Sequence, residues 1–111
     1  PGASSSIVEL VDLFPTACEA TGLPIPEGVE GKSLLPILGN PEATVKKAAF
    51  SFVGKGTSMR TSQWAYMKYG DGSEELYDME KDPKQFDNLA KSAEHAATLR
   101  SLRKQFQADR K

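Results

Sequence analysis

The chain has 111 residues, of which 39% are apolar and 26% charged, enough for one domain with a modest core. Its formal net charge of −1 argues against a nucleic-acid partner, and no apolar run approaches the roughly 20 residues that span a bilayer. Because Cys18 is the single cysteine, an internal disulfide and a cysteine-based zinc site are excluded.

A short helix is predicted from about residue 12 to residue 21. In IVELVDLFPTACEATGLP the apolar residues recur three and four positions apart, which is the helical period. Pro15 would lie in the first turn, where proline is tolerated, and Asp12 would be an N-cap that accepts a backbone N–H. Gly22 would supply a left-handed residue after the helix, and Pro24 would prevent its continuation.

The next segment, to about residue 47, is rich in proline and glycine and predicts a connecting loop. Leu34, Leu35, Ile37 and Leu38 would fasten this loop to a core. Alternating and β-favouring residues then predict about four short strands. They are AAFSFV (48–53), TSMRT (57–61), WAYMKY (64–69) and EELYDM (74–79), with a hairpin turn at GDGS (70–73).

A closing helix is predicted after Asp82-Pro83 stops the sheet. Ser92 would cap this helix, and Leu99, Leu102 and Phe106 would form its apolar face. The predicted fold is therefore α+β: one short N-terminal helix, then about four antiparallel strands packed by a C-terminal helix.

Two residues invite a catalytic interpretation. His95 could be a general base, but no motif places a nucleophile beside it, so an edge position on the closing helix is favoured. Cys18 could be a reactive thiol, but its place on the inner side of the first helix favours a small core residue.

Three clusters of charge invite a binding interpretation. The acidic residues between Asp71 and Asp82 lack the spacing of an EF-hand loop, so a solvated surface is favoured over calcium. Gly54-Lys55-Gly56 could hold an anion but reads first as an ordinary turn. The C-terminal RSLRKQFQADRK could meet RNA or a membrane, but its interleaved acids and amides favour a solvated helix face.

Arg60 and Trp64 lie in the strand region and could face a ligand. A structural role is favoured for both, with Trp64 in the core and Arg60 paired with an acid across the sheet. The residues by themselves define no catalytic or metal site.

The motifs in sequence order resemble the C-terminal end of the formylglycine-dependent sulfatases. VELVDLFPTACEATGLPIPEGVEGKSLLPIL, SMRTSQWAYMKY and EELYDMEKDPKQFDNLA follow one another as the corresponding segments do in that family. The resemblance covers about residues 7 to 90 and is greatest to the iduronate-2-sulfatase-like branch.

This resemblance implies a layout with a large α/β catalytic domain and a small C-terminal subdomain. Residues 1–38 would be the end of the large domain, with its last helix and connecting segment. Residues 39–111 would be the C-terminal subdomain, and its partner would be the N-terminal catalytic domain of the same sulfatase. The start of the chain, PGASSSIVEL, resembles the middle of a loop and shows no signal peptide, so we expect either a processed chain or a piece of a longer protein.

The family's chemistry uses calcium and a formylglycine made from the cysteine of a C-x-[PS]-x-R motif. Cys18 is followed by Ala20 and Gly22 where that motif needs Pro or Ser and Arg, so it is not the precursor. Both cofactors are expected in the parent enzyme and neither in this chain, which is expected to be inactive alone. Lys55 is the candidate for a substrate contact, since loops of this subdomain can line the family's substrate pocket.

Two functions remain open. The first is a structural or substrate-pocket subdomain of a sulfatase that hydrolyses sulfate esters of sulfated glycans, in a secreted, periplasmic or lysosomal parent. The alternative is a stand-alone, non-enzymatic interaction module. In either case the isolated chain could self-associate through an exposed apolar face.

Overall fold

The computed structural model describes residues 2–110, and the chain divides after Ala49 into two compact units. The first unit contains helices α1 (Leu13–Ala20) and α2 (Leu35–Gly39). The second contains a sheet and helix α3 (Ala96–Asp109). The strands are β1 (Ala49–Val53), β2 (Gly56–Arg60), β3 (Trp64–Lys68) and β4 (Glu74–Asp78).

In the first unit, a 3₁₀ turn (Leu10–Asp12) leads into α1. Pro15 is buried in the first turn of α1, where the missing N–H of proline breaks no helical bond. Gly22 has a φ of +72°, so the predicted left-handed residue after the helix is confirmed. The predicted N-terminal helix is thus present, one residue shorter at each end.

Asp12 does not cap α1 as predicted, since its side chain makes no capping bond to that helix. It turns back instead: Oδ2 accepts the N–H of Glu9 at 2.8 Å, and Oδ1 accepts the N–H of Lys32 at 2.9 Å. The carboxylate is fully buried, and Lys46 Nζ lies 2.6 Å from its Oδ1. Asp12 therefore joins three stretches of chain that are distant in sequence.

The loop that receives Asp12 runs against the backbone at the start of α1. Thr16 Oγ1 donates to the carbonyl of Asp12 at 2.6 Å and accepts the N–H of Leu34 at 2.8 Å. A Cβ on Gly31 would lie 2.0 Å from the carbonyl oxygen of Val11, so only glycine fits there. The G-K-S-L segment (31–34) thus packs directly against the D-L-F-P-T segment (12–16).

Helix α2 was not predicted, because its five residues are too few to show a period. Pro36 stands in its first turn, where proline is well suited. Of the four apolar residues predicted to fasten this loop, Leu34, Leu35 and Ile37 are partly buried and Leu38 is exposed.

In the second unit, the strands lie in the order β1-β2-β3-β4, as predicted for an antiparallel meander. Met59 pairs with Tyr66, and Tyr66 with Leu76, which places three buried side chains in one row. The ring of Tyr66 meets the edge of Phe106 on α3 at 5.3 Å. Leu99, Leu102 and Phe106 are the buried face of α3, so the predicted α+β fold is confirmed.

The segment after β4 covers the outer edge of that strand. Leu89 N–H donates to the carbonyl of Leu76 at 2.8 Å. Asn88 Oδ1 accepts the N–H groups of Leu76 (3.0 Å) and Ala90 (2.9 Å). Because these bonds satisfy a strand edge that would otherwise be open, the Asn-Leu-Ala segment closes one side of the sheet.

None of the helices formed by residues 2–110 combines the length and the apolar character that crossing a membrane requires.

Replacing Lys46 with Met should lower the free energy of unfolding by about 3 kcal/mol, because the buried Asp12 carboxylate would lose its compensating cation. Lys47→Met is the matched control, since its side chain is exposed one residue away. Urea denaturation of both variants measures the difference. Equal destabilisation by the two changes would show that the ion pair is not what matters.

Candidate functional site

The largest polar cluster of the second unit joins the sheet to α3. Tyr66 Oη donates to Glu74 Oε1 at 2.5 Å, and Arg103 Nε donates to the same oxygen at 2.9 Å. Arg103 Nη2 donates to Glu74 Oε2 as well, so the guanidinium holds both carboxylate oxygens. The cluster fixes α3 over the sheet.

The electrostatics of this cluster follow from its contacts. The hydrogen bond from Arg103 lowers the pKa of Glu74, and the bond from the Tyr66 hydroxyl lowers it further. Burial acts in the opposite direction, and the resulting pKa is about 2. Burial, together with the neighbouring carboxylate, raises the pKa of Tyr66 well above its usual value. Both groups therefore keep one protonation state at neutral pH, which suits a structural link and not proton transfer.

Asp78 has a similar structural role at the end of β4. It is buried, and its Oδ1 accepts the N–H groups of Glu80 (3.0 Å) and Lys81 (3.2 Å). Gln63 Nε2 donates to Oδ2 at 3.3 Å. Burial raises the pKa of Asp78, but the hydrogen bonds from Lys81, Glu80 and Gln63 outweigh it and leave the pKa below its ordinary value. The carboxylate orders the turn after the strand.

Lys55, the predicted candidate for substrate binding, lies at the tip of the β1–β2 hairpin and is exposed. Gly54 has a φ of +56°, which allows the tight turn. The stem of Lys55 passes over Gly70, where an added Cβ would lie 2.7 Å from Lys55 Cβ. The aliphatic part of the Lys55 side chain thus packs on Gly70 at the edge of the sheet. The role of its ammonium group in substrate binding stays a prediction.

The other chemically interesting residues occupy ordinary structural positions. His95 is half-buried, its ring meets Trp64 edge-on at 5.9 Å, and its Nδ1 lies 3.1 Å from Ser92 Oγ. Ser92 makes no side-chain cap, so that detail of the prediction was wrong. Cys18 is buried in α1.

Arg60 does not pair with an acid across the sheet, contrary to the prediction. It stands at the end of β2 opposite Ala65, whose neighbour on β4 is Tyr77. Its Nη1 is buried and has no hydrogen-bond partner among residues 2–110. The prediction failed because the register puts alanine, not an acid, beside it.

Three of the described carboxylates serve as acceptors of hydrogen bonds from within the chain. The buried ones, Asp12 and Asp78, accept backbone N–H groups, and Glu74 is held by Arg103. Over the described part of the chain, no group of three or more His, Cys, Asp or Glu side chains is placed to hold a metal ion. Cys18 is buried in the core.

Each unit leaves large apolar side chains exposed. In the first unit they include Leu10, which is 85% exposed, and Phe14, which is 56% exposed. Val8, Val11 and Leu13 are exposed beside them in sequence. In the second unit, Phe52, Val53 and Phe86 are exposed. Clusters of this kind on a small domain mark surfaces that bind other protein.

The family of the chain follows from a match over almost its entire length. The family model described as N-sulphoglucosamine sulphohydrolase, C-terminal, matches residues 2–111, and the chain belongs to this family. It is a C-terminal sulfatase domain, with the four-stranded sheet and packing helix described above.

Relatives and solved structures agree with this assignment. The chain is 33% identical over 102 residues to arylsulfatase K of Bos taurus, covering 78% of this chain and 19% of that protein. It resembles a crystal structure of a putative sulfatase from Bacteroides thetaiotaomicron, with a TM-score of 0.77 and 31% identity over 87% of this chain and 23% of that one. A structure described as a 2-O GAG sulfatase gives a TM-score of 0.74 at 31% identity, with the same coverage. The chain thus spans about a fifth of the length of the curated relatives it matches.

Stability should depend on pH through Glu74. Because its folded pKa of about 2 is below the ordinary 4.5, its contribution is complete above about pH 4.5 and is lost as the pH falls towards 2. Glu74→Gln should therefore lower the free energy of unfolding by about 1 kcal/mol at pH 7, since Arg103 is half exposed and screened, with a smaller difference at pH 3.

Denaturation curves of the wild type and Glu74→Gln between pH 2.5 and pH 7 measure this effect. Glu80→Gln, at an exposed position two residues after β4, is the control and should show no such trend. A wild-type-to-variant difference that stays constant over this pH range would contradict the assigned pKa.

Proposed function

We propose that this chain is the structural and substrate-pocket subdomain of a sulfatase that hydrolyses sulfate esters of sulfated glycans. The observation that carries the proposal is the family match over residues 2–111, on a chain whose acids Asp12, Glu74 and Asp78 serve as hydrogen-bond acceptors within the fold. The relative described as a 2-O GAG sulfatase supports the substrate class. The catalytic groups belong to the parent's larger domain.

The proposed division of labour leaves this chain no chemical step. Formylglycine and calcium would act on the catalytic domain, where they would supply the nucleophile and stabilise charge on the sulfuryl group. This chain would hold the edge of the pocket and stabilise the larger domain. Its residues 1–38 would complete that domain, and residues 39–111 would form the subdomain.

The exposed apolar residues of the first unit support such a partnership. Leu10, Leu13 and Phe14 follow one another along the 3₁₀ turn and α1, and about four-fifths of the length of the relatives lies outside the region that this chain matches. We assign the surface of these three residues to contact with the catalytic domain. In the isolated chain the same surface would favour self-association.

The finer features of the parent are inferred from resemblance. The iduronate-2-sulfatase-like branch stays a prediction, as does a secreted, periplasmic or lysosomal location. Substrate identity within the sulfated glycans would be set by pocket contacts, of which Lys55 is the proposed one in this chain.

The isolated chain should show no turnover of an aryl sulfate in the presence of calcium, because the proposal assigns the formylglycine nucleophile and the calcium to the catalytic domain. The complete protein, carrying a C-x-[PS]-x-R segment, should turn it over under the same conditions. Turnover by the isolated chain would reject the proposal. A natural protein without any such segment would favour the stand-alone interaction module.

In the complete enzyme, Lys55→Ala should raise KM for a sulfated oligosaccharide about five-fold with kcat unchanged. The reason is that an exposed ammonium at the pocket rim contributes about 1 kcal/mol to binding of an anion in ground and transition states alike. Lys84→Ala, at an exposed position in the loop after β4, is the control. An unchanged KM in Lys55→Ala would remove Lys55 from the pocket.

A further inference from the structure

The unpartnered guanidinium nitrogen of Arg60 is an exception in a unit that otherwise satisfies its buried polar side chains. Of the residues described, Arg60 Nη1 is the one buried side-chain nitrogen or oxygen atom for which no hydrogen-bond partner is found. Buried arginines are normally hydrogen-bonded, and each one without partners calls for an explanation. None of the described residues supplies an acceptor to this atom.

The position of Arg60 shows which side of the sheet needs that acceptor. Met59 pairs with Tyr66, whose ring contacts Phe106, so this row faces α3. Since side chains alternate along a strand, Arg60 and its partner Ala65 lie on the opposite face of the sheet. Helix α3 therefore supplies no acceptor to Arg60.

The nearest acid along the strands on that face is Glu75, whose carboxylate already accepts a hydrogen bond. Tyr77 lies next to Ala65 on β4, and Glu75 lies two residues back along the same strand, about 7 Å away. Glu75 Oε2 accepts a hydrogen bond from the Tyr77 hydroxyl at 2.9 Å. The methyl group of Ala65, which is buried between Arg60 and Tyr77 in the register, offers no acceptor.

We propose that Arg60 binds a carboxylate of the catalytic domain, so that the sheet face opposite α3 is an interface fixed by an arginine–carboxylate pair. A guanidinium presents a planar fork of donors that a carboxylate accepts in pairs, and this makes arginine suited to ion pairs inside interfaces. The relatives are about five times longer than the region matched here, so the parent has ample polypeptide to supply the acid. This inference rests on the proposed function.

A resident carboxylate fits better than the sulfate group of a substrate. A substrate must enter and leave with each turnover, and this needs a donor that solvent reaches. Arg60 Nη1 is closed to solvent already. Arg60 as a whole is only half-buried, so an interface that forms once, during folding of the complete enzyme, can meet its guanidinium.

The test compares Arg60→Met in this chain and in the complete enzyme. In this chain the variant should unfold at the same urea midpoint as the wild type or a higher one, since an unpartnered donor is removed. In the complete enzyme it should speed proteolytic release of the C-terminal region ten-fold or more, because a carboxylate loses its partner. Arg100→Met, at an exposed position on α3, should change neither.

A charge-reversal experiment identifies the partner. Arg60→Glu should destabilise the complete enzyme more than Arg60→Met, and one Asp→Lys or Glu→Lys change in the catalytic domain should restore stability. Failure of every such acidic position to restore stability would overturn the proposal.

Other outcomes overturn the proposal in distinct ways. Equal destabilisation of this chain and of the complete enzyme by Arg60→Met would give Arg60 a role within the subdomain. A raised KM with unchanged stability would show that Arg60 binds the substrate instead. No effect of Arg60→Met in either protein would show that Arg60 has neither role. The proposed function fails separately if the wild-type complete protein has no sulfatase activity, since unfolding and proteolysis need no turnover.

Discussion

The buried carboxylate of Asp12 is the interaction on which the first unit depends. A carboxylate removed from water is strongly unfavourable unless hydrogen bonds and an opposite charge compensate it. Asp12 receives both: two backbone N–H groups, from Glu9 and Lys32, and the ammonium of Lys46. Burial raises the pKa of Asp12, but the hydrogen bonds of Lys46 and the two N–H groups outweigh it and leave the pKa below its ordinary value. The three donors lie up to 37 residues apart in the sequence. One side chain therefore determines how a proline-rich segment with little regular structure packs.

The second unit uses its acids in the same way. Glu74 fixes α3 to the sheet through Arg103, and Asp78 orders the turn after β4. An acid used as a backbone or guanidinium acceptor is kept ionised but has few lone pairs left for a metal ion. Within the acid-rich residues 71–82, Glu74 and Asp78 therefore have structural roles. This explains how a domain of a sulfatase family can carry many carboxylates and still place none of them together as a metal site over the residues described.

The sequence predicted the elements well and the polar contacts poorly, for a physical reason. Period and turn chemistry are local: the spacing around Phe14 and Cys18 predicts α1, and Asp71-Gly72 predicts the turn between β3 and β4, where Gly72 has a φ of +87°. Asp12 was assigned to a cap because capping is the local use of an aspartate before a helix. Its real partners, Lys32 and Lys46, are distant in sequence, and no periodicity reports them.

The same limit applies to the candidate site. The sequence predicts an acidic partner for Arg60 across the sheet, where charge pairs are common. The register places Ala65 opposite Arg60 instead. A one-residue difference in register would have exchanged the faces, and pattern alone fixes register only where one face is clearly buried. Here the residues on the face of Arg60 are half-buried, apart from Ala65, so the pattern is weak at that point.

A subdomain that works only in a larger enzyme should show its dependence in the parts of its surface that it cannot satisfy alone. Two features of this chain have that property: the apolar residues around α1, which water does not stabilise, and the buried Arg60 nitrogen, which lacks an acceptor. Their chemistry is complementary to protein and not to solvent. A catalytic surface differs, because its polar groups stay accessible to an exchanging substrate and are shifted in pKa towards the working pH. The pKa values of Tyr66 and Glu74 are instead shifted away from neutrality, so these two groups keep one protonation state and link α3 to the sheet.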